Sequence, residues 1–346
     1  MIELPVIDIQ QYKSTGDKAL CDQVAECLVK YGVLCLRDER ATEADNAKFI
    51  DMMERYFEST DFVQDARPDL HFQVGVTPEL KERARNHCAR AEKLPKEHAP
   101  VTLCPPELDK KSRFFWRMGE RPKNTKFAEL NAEPVIPKEF PEWETTMNMW
   151  GGKMLDAITD LVEMAAIGLG LEKDALSKRI QNAPHLLAPT GSNFGRFNQL
   201  NDVLAGYHYD LNLLTIHGKS RFPGLYIWSR DGTRTAVKIP DGCLLVQAGK
   251  QIEYLTGGHI VAGFHEVIVS EATLKTIEER KTAGKSLWRV SSTLFSHTAS
   301  DETLQPLGHF ATPETLEKYP PVLAGDQVLA ELKHIELGKG FTLQRD

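Results

Sequence analysis

Two histidines and one aspartate stand at spacings that could bind a metal ion. His208 and Asp210 are separated by one residue, and alternate residues of a β-strand share a face, so both side chains can point to one place. His265 lies further along, inside an alternating run rich in β-branched residues. Two histidines and a carboxylate on one face of a metal leave its other positions open, which is the ligand set of non-haem Fe(II) oxygenases. The sequence therefore predicts an Fe(II) site at His208, Asp210 and His265.

An alternative third ligand is His259, because glycines surround this region and either histidine could lie at a strand end. We favour His265, since a position deep in an alternating run holds a side chain more rigidly. The alternative to a metal site is that both histidines are core residues and the aspartate is a buried, hydrogen-bonded carboxylate.

A second pair of residues could bind a carboxylate group. Arg289 and Ser291 lie within a run from Trp288 to Phe295 that is typical of a strand, so they too share a face. A guanidinium gives two parallel donors to a carboxylate, and a serine hydroxyl can give a third. The pair is a candidate binding site for the distal carboxylate of a dicarboxylic cosubstrate. The alternative is a surface arginine on an edge strand, which the apolar neighbours disfavour.

The elements that must position these residues fall into three parts. Residues 1–142 begin with a strand and helices and continue into a proline-rich passage, 60–142. Eight of the 19 prolines lie between Pro95 and Pro141, so this passage is predicted to be an irregular covering loop. Residues 143–312 open with a helix over 143–167 and continue as short strands separated by turns. Residues 313–346 predict a helix that packs on this core. The expected fold class is mainly β with helical flanks (α+β).

Composition excludes several classes of protein. The 346 residues are 41% apolar and 26% charged, as in ordinary globular proteins, and the net charge of −7 disfavours a nucleic-acid partner. No apolar run reaches the ~18 residues of a membrane span, and the first residues lack a cationic signal-peptide region. The six cysteines form no C-x-x-C pair, which favours reduced, structural thiols and a cytoplasmic protein. We expect a monomer.

Several motifs, taken together, resemble the isopenicillin N synthase-like 2-oxoglutarate/Fe(II)-dependent dioxygenases. They are His208-x-Asp210, Pro240-Asp-Gly242, Thr256-Gly-Gly258, His265-x-Val267 and Arg289-x-Ser291. The resemblance implies a double-stranded β-helix (jelly roll) core, Fe(II) at His208, Asp210 and His265, and 2-oxoglutarate at Arg289 and Ser291. It also implies that Asn198 contacts the keto-acid end of 2-oxoglutarate, although the family's tyrosine-containing strand is replaced here by Arg196-Phe-Asn198-Gln199. Two further departures are Lys250 and Glu266.

The implied reaction is an oxidation of a C–H bond in a small-molecule metabolite, coupled to O2 and to decarboxylation of 2-oxoglutarate. Hydroxylation, desaturation and cyclisation share this chemistry. The alternatives are an Fe(II) oxidase of the same fold that does not consume 2-oxoglutarate, and a non-catalytic binding protein.

The covering passage predicts where a substrate lies. Two of its segments carry side chains suited to recognition: Phe72, Gln73 and Val74 in one, Arg113, Phe115 and Arg117 in the other. The aromatic rings could form apolar walls, and either arginine could bind an anionic group, so we expect a carboxylated substrate. The alternative is that the aromatic residues only fix the loop onto the barrel.

Overall fold

A computed structural model describes residues 4–335 of the chain. The helices in that range are α1 (Ile9–Thr15), α2 (Lys18–Tyr31), α3 (Glu43–Ser59), α4 (Cys88–Ala91), α5 (Trp143–Gly168), α6 (Lys250–Leu255), α7 (Glu271–Thr282), α8 (Pro313–Lys318) and α9 (Ala324–His334). The strands are β1 (Val6–Asp8), β2 (Val33–Arg37), β3 (Gly75–Thr77), β4 (Ser112–Met118), β5 (His185–Leu187), β6 (Thr190–Asn193), β7 (Val203–Tyr209), β8 (Leu214–Gly218), β9 (Leu225–Trp228), β10 (Arg234–Ala236), β11 (Cys243–Ala248), β12 (Phe264–Ile268), β13 (Trp288–Ser296), β14 (Thr303–Leu304) and β15 (Val322–Leu323).

Two sheets form the β-core. The larger sheet has the strand order β1-β2-β11-β8-β13-β5-β4-β3, with β6 paired to both β13 and β4, and the smaller sheet has the order β10-β9-β12-β7. Apolar side chains of the two sheets pack together, such as Cys35 and Leu245 of the larger sheet against Ile227 of the smaller. A cavity between the sheets is open where polar side chains replace this apolar packing.

Helices cover the outer face of the larger sheet. The predicted helix over 143–167 is confirmed as α5, whose apolar stripe includes the buried Trp143, Trp150 and Leu161. Strand β2 follows α2 directly, because the φ of 66° at Gly32 ends the helix in a left-handed turn that glycine adopts without strain. The layers therefore match the predicted α+β class.

The prediction of an irregular passage over 60–142 is wrong in two places. Strands β3 and β4 lie within it and extend the larger sheet beyond β5. Both faces of β4 are covered: Phe114 packs against Tyr56 and Trp143 of the helical layer, while Phe115 faces the cavity. The surrounding segments are rich in proline, and β4 lacks the simple alternation of apolar and polar residues that marks a strand. Both features concealed it.

The division of the chain into three parts at residues 142 and 312 stays a prediction. The packing of residues 313–346, taken as a whole, on the core also stays a prediction. Helices α8 and α9 lie in this last part, and its residues 336–346 lie outside the described range.

The prediction that all six cysteines are reduced is wrong for two of them. Cys88 and Cys104 form a disulfide, with their Cα atoms 5.6 Å apart, because the loop after α4 returns alongside that helix. Cys21, Cys27, Cys35 and Cys243 are free and buried. Among residues 4–335, none of the helices combines the length and the apolar character that a membrane span requires.

Candidate active site

The structure brings His208, Asp210 and His265 together at the mouth of the cavity. Strands β7 and β12 are antiparallel neighbours, and their register places His208 directly opposite His265. Asp210 follows the last residue of β7, and its Oδ1 lies 3.7 Å from His208 Nε2 and 3.8 Å from His265 Nε2. One ligand atom from each residue falls within 4.8 Å of the others. Three ligands grouped in this way on one side would leave the other side of a metal open.

Hydrogen bonds orient two of these three side chains. The backbone carbonyl of Gly206 lies 2.5 Å from His208 Nδ1, so a proton there leaves Nε2 free to bind a metal. The Thr215 hydroxyl donates to Asp210 Oδ2 over 2.6 Å, which leaves Oδ1 free. His265 is 5% exposed.

Electrostatics favour the metal-binding protonation states of His208 and Asp210. Burial lowers the pKa of His208 well below its usual value, and the neighbouring His265 lowers it further. Burial would raise the pKa of Asp210, but His265, His208 and the Thr215 hydroxyl together lower it below its usual value. Neutral imidazole and ionised carboxylate are the metal-binding forms, so the donor set fits Fe(II).

The alternative ligand, His259, lies elsewhere. It follows α6, and its ring packs 5.2 Å from the ring of Phe310. It lines neither of the two cavities that adjoin His208 and Asp210.

A cavity of about 600 Å³, the carboxylate cavity, extends from the histidines into the β-core. Arg289, Ser291 and Thr293 line one wall from β13, and Ser192 of β6 lies opposite Arg289 in the strand register. Arg289 is 6% exposed, and burial lowers its pKa to about 10. No acidic side chain among residues 4–335 forms an ion pair with it, and its Nε is buried without an acceptor. A buried guanidinium without a counter-charge is costly unless a ligand supplies one.

The prediction that Asn198 lies at this cavity is wrong. Strand β6 ends at Asn193, and the chain then turns away from the sheet, so the Asn198 amide donates to the Phe194 carbonyl over 3.0 Å. Instead, the polar residues that line the cavity include His217 of β8 and Lys111. A lone histidine in an apolar strand carries no motif, so nothing in the sequence marked His217 as a cavity residue.

A second cavity of about 960 Å³, the outer cavity, lies on the other side of His208 and Asp210. Of the predicted substrate residues, Gln73, Arg113 and Phe115 line it, and Arg113 lines the carboxylate cavity as well.

The remaining three predicted substrate residues are placed elsewhere, so those predictions are wrong. Arg117 is buried, and its guanidinium donates to Asn131 Oδ1 over 3.0 Å and to backbone carbonyls. Phe72 packs against the apolar cluster that Phe127 and Leu130 form with α9, and it lines neither cavity. Val74 is 2% exposed and faces neither cavity. Arg113 and Arg117 lie on the same face of β4, but the cavity ends before the strand reaches Arg117.

Sequence reasoning missed a buried group of charges at the junction of the two cavities. Lys111 Nζ lies 2.5 Å from Asp109 and 3.3 Å from Glu82, and Arg113 also pairs with Glu82. Burial would raise the pKa of Glu82, but Arg113 and Lys111 lower it. Asp109, Lys111 and Arg113 alternate with the period of a strand as the chain enters β4, and that spacing was the available signal. The contribution of α9 to the site was missed too: Val328, Glu331 and Leu332 line the outer cavity.

The departures at Glu266 and Lys250 have local explanations. Glu266, next to His265, is fully buried and accepts hydrogen bonds from the backbone of Val101 and Thr102 and from Arg234. It therefore ties the covering loop to the smaller sheet. Lys250 pairs with Glu253 over 2.5 Å within α6.

Comparison with known proteins supports this assignment of the fold. A leucoanthocyanidin dioxygenase from Perilla frutescens is 26% identical over 213 residues, which is 56% of this chain and 53% of that enzyme, so the match spans about half the length of this curated relative. No family model matches the chain.

Solved structures match over almost the whole chain. A 2OG-Fe(II) oxygenase family protein from Caulobacter crescentus has a TM-score of 0.71 and 20% identity, and the match covers 96% of this chain and 99% of that protein. A dioxygenase for auxin oxidation in rice has a TM-score of 0.66 and 16% identity, over 96% of this chain and 95% of that enzyme. The predicted jelly-roll fold and the resemblance to the 2-oxoglutarate/Fe(II)-dependent dioxygenases are confirmed.

Proposed function

We propose that the protein is an Fe(II)- and 2-oxoglutarate-dependent oxygenase that oxidises a C–H bond of a small molecule. The observation that carries this proposal is the buried, unpaired Arg289 in the same cavity as His208, Asp210 and His265. A dicarboxylic cosubstrate would neutralise this arginine with one carboxylate and reach the metal ligands with its other end. The family resemblance and the shared fold support the same chemistry.

The roles of the side chains follow from their positions. His208 Nε2, Asp210 Oδ1 and His265 would hold iron, which supplies the activation of O2 that couples decarboxylation of 2-oxoglutarate to substrate oxidation. Arg289 and Ser291 would bind the distal carboxylate, and the charge-assisted bond to Arg289 would fix its direction. Thr215 and the Gly206 carbonyl hold two ligands in orientation. Phe115 and Phe295 would keep water from the reacting centre.

Anaerobic titration with Fe(II), with and without 2-oxoglutarate, tests the proposal. We expect one Fe(II) per chain and a visible absorption band that develops only when 2-oxoglutarate is also present. Iron binding with turnover that needs no 2-oxoglutarate would favour the oxidase alternative. Failure to bind iron would favour a non-catalytic binding protein.

For the substrate, we propose a small molecule with an apolar body and a carboxylate. The apolar body would lie in the outer cavity between Phe115 and Leu332, which line it. Arg113 is the candidate partner of the carboxylate, and it stacks 4.5 Å from the ring centre of Phe115. Because Arg113 already pairs with Glu82, the substrate carboxylate would be a second acceptor for its guanidinium and not its sole counter-ion. The use of O2, a monomeric state, a cytoplasmic location and the lack of a nucleic-acid partner stay predictions.

A further inference from the structure

A line of hydrogen bonds runs behind the carboxylate cavity from Gln247 to Ser291. His217 lies on β8 between β11 and β13, opposite Thr293 in the register. His217 Nε2 is 2.9 Å from Gln247 Oε1, and His217 Nδ1 is 2.9 Å from the Thr293 hydroxyl. The Thr293 hydroxyl is in turn 2.7 Å from the Ser291 hydroxyl, which faces the cavity beside Arg289.

The histidine at the centre of this line is neutral. Burial lowers the pKa of His217 to about 4, so at physiological pH one ring nitrogen donates and the other accepts. Each hydroxyl has a single proton to donate. The end of the Gln247 amide that faces His217 therefore decides which ring nitrogen carries the proton, and the ring in turn limits the directions in which the two hydroxyls can donate.

The two directions differ in what Ser291 offers the cavity. With the Gln247 carbonyl facing His217, the ring donates from Nε2, Thr293 donates to Nδ1 and Ser291 donates to Thr293. Ser291 then presents only lone pairs to the cavity, and a carboxylate, which has no proton to donate, cannot form a hydrogen bond with them. With the amide turned over, Gln247 donates to Nε2 and Nδ1 donates to Thr293. The Thr293 proton is then free to go to Ser291, and only in this orientation can the Ser291 proton point into the cavity.

We infer that His217 and Gln247 are positioning residues for the cosubstrate: in the complex with 2-oxoglutarate the hydrogen bonds run from Gln247 through His217 and Thr293 to Ser291, which donates to the distal carboxylate. This inference rests on the proposed function. It adds to Arg289 and Ser291 a relay of hydrogen bonds with two possible directions, in which Gln247 and His217 act together.

The first test reads the tautomer of His217 directly. Protein labelled with 15N-histidine is loaded with Zn(II), which has no redox chemistry, and 15N shifts and 1H–15N couplings are recorded with 2-oxoglutarate, whose binding is measured by calorimetry. The variant His217→Gln identifies the signals of this ring. We expect the proton at Nδ1 in the complex. If 2-oxoglutarate binds and the proton lies at Nε2, the relay is overturned while the proposed function stands. If wild-type protein does not bind 2-oxoglutarate at all, the proposed function fails and the relay fails with it.

The second test is a double-mutant cycle between Gln247 and Ser291, which do not touch. In the wild-type background, Ser291→Ala should weaken 2-oxoglutarate binding about tenfold, as for loss of one hydrogen bond to a charged group. In a Gln247→Leu background nothing fixes the direction of the relay, and the same change should cost less than about threefold. Val246→Ala, in the same strand but facing the opposite side, is the matched control and should leave the full tenfold cost. An equal cost of Ser291→Ala in all three backgrounds overturns the relay.

Discussion

The two cavities that meet at His208 and Asp210 are built in different ways. The carboxylate cavity is walled by paired strands, chiefly β13, β7, β6 and β12, and polar residues alternate with core residues along β13. The outer cavity is lined mainly by parts of the segment 82–111 and by α9, which we call the covering side, and Phe115, Leu186 and Phe295 of the larger sheet complete it. In a sheet, the pairing of the strands determines the position and the face of each side chain. In a loop or in a helix such as α9, long-range packing determines where each side chain lies. The strand-built cavity should therefore bind an invariant cosubstrate, and the covering side should decide the substrate.

Changing a residue shared by both cavities has the largest expected effect. Asp210→Ala removes the carboxylate between the two histidines, so Fe(II) binding and turnover should both be lost while the circular dichroism spectrum is unchanged. His259→Ala is the matched control and should retain iron and activity, because that ring packs against Phe310. Normal turnover by Asp210→Ala would contradict the assignment of the metal site.

The anchor of the covering side can be broken without touching the strand-built wall. Glu266→Ala leaves Arg234 and two backbone amides without their acceptor, and loss of one member of a buried ion pair lowers the free energy of unfolding by about 3 kcal/mol. Chemical denaturation measures this loss. Glu266→Gln keeps an acceptor and should cost less. If both variants cost the same, the charge is not what holds the loop.

The strand-built wall can be weakened on its own. Arg289→Ala should weaken 2-oxoglutarate binding at least tenfold, since a hydrogen bond to a charged group contributes about 1.5–3 kcal/mol. Fe(II) affinity should change little. Calorimetric titrations of each ligand separate the two. Unchanged 2-oxoglutarate affinity would show that another cation binds the carboxylate.

The smallest expected effect separates two arginines of one strand. Arg113→Ala should raise the substrate KM and increase uncoupled consumption of 2-oxoglutarate, because Arg113 lines both cavities. Arg117 donates instead to Asn131 and lines neither cavity, so Arg117→Ala should keep wild-type coupling in the fraction that folds. Parallel measurements of 2-oxoglutarate decay and substrate oxidation test the pair. Full coupling in Arg113→Ala would remove it from substrate binding.

The same contrast explains what could be read from the sequence. His208, Asp210, Arg289 and Ser291 were placed correctly on shared faces because the two-residue period of a strand is a local property. Asn198 was misplaced because the end of β6 depends on where its partner strands stop, which the local sequence does not encode. His217 was missed because its role comes from neighbours on two other strands.

The covering side was harder still. Phe72 and Arg117 have the residue types of a binding site, yet tertiary packing leaves both out of the cavity lining. The start of β4 was hidden because Lys111 and Arg113 are buried there as partners of Glu82 and Asp109, and Glu82 lies outside the strand's own sequence.

Helix α9 has a practical consequence for protein engineering. It supplies Val328, Glu331 and Leu332 to the outer cavity, and Gln327 beside them donates to the carbonyl of Leu211, the residue after Asp210, over 3.1 Å. A library that randomises the three cavity-facing positions and retains Gln327 would vary the shape and charge offered to substrates while the helix stays attached next to the metal ligands. Selectivity could thus be retuned from one short segment late in the chain, with the strands that hold the cosubstrate left as they are.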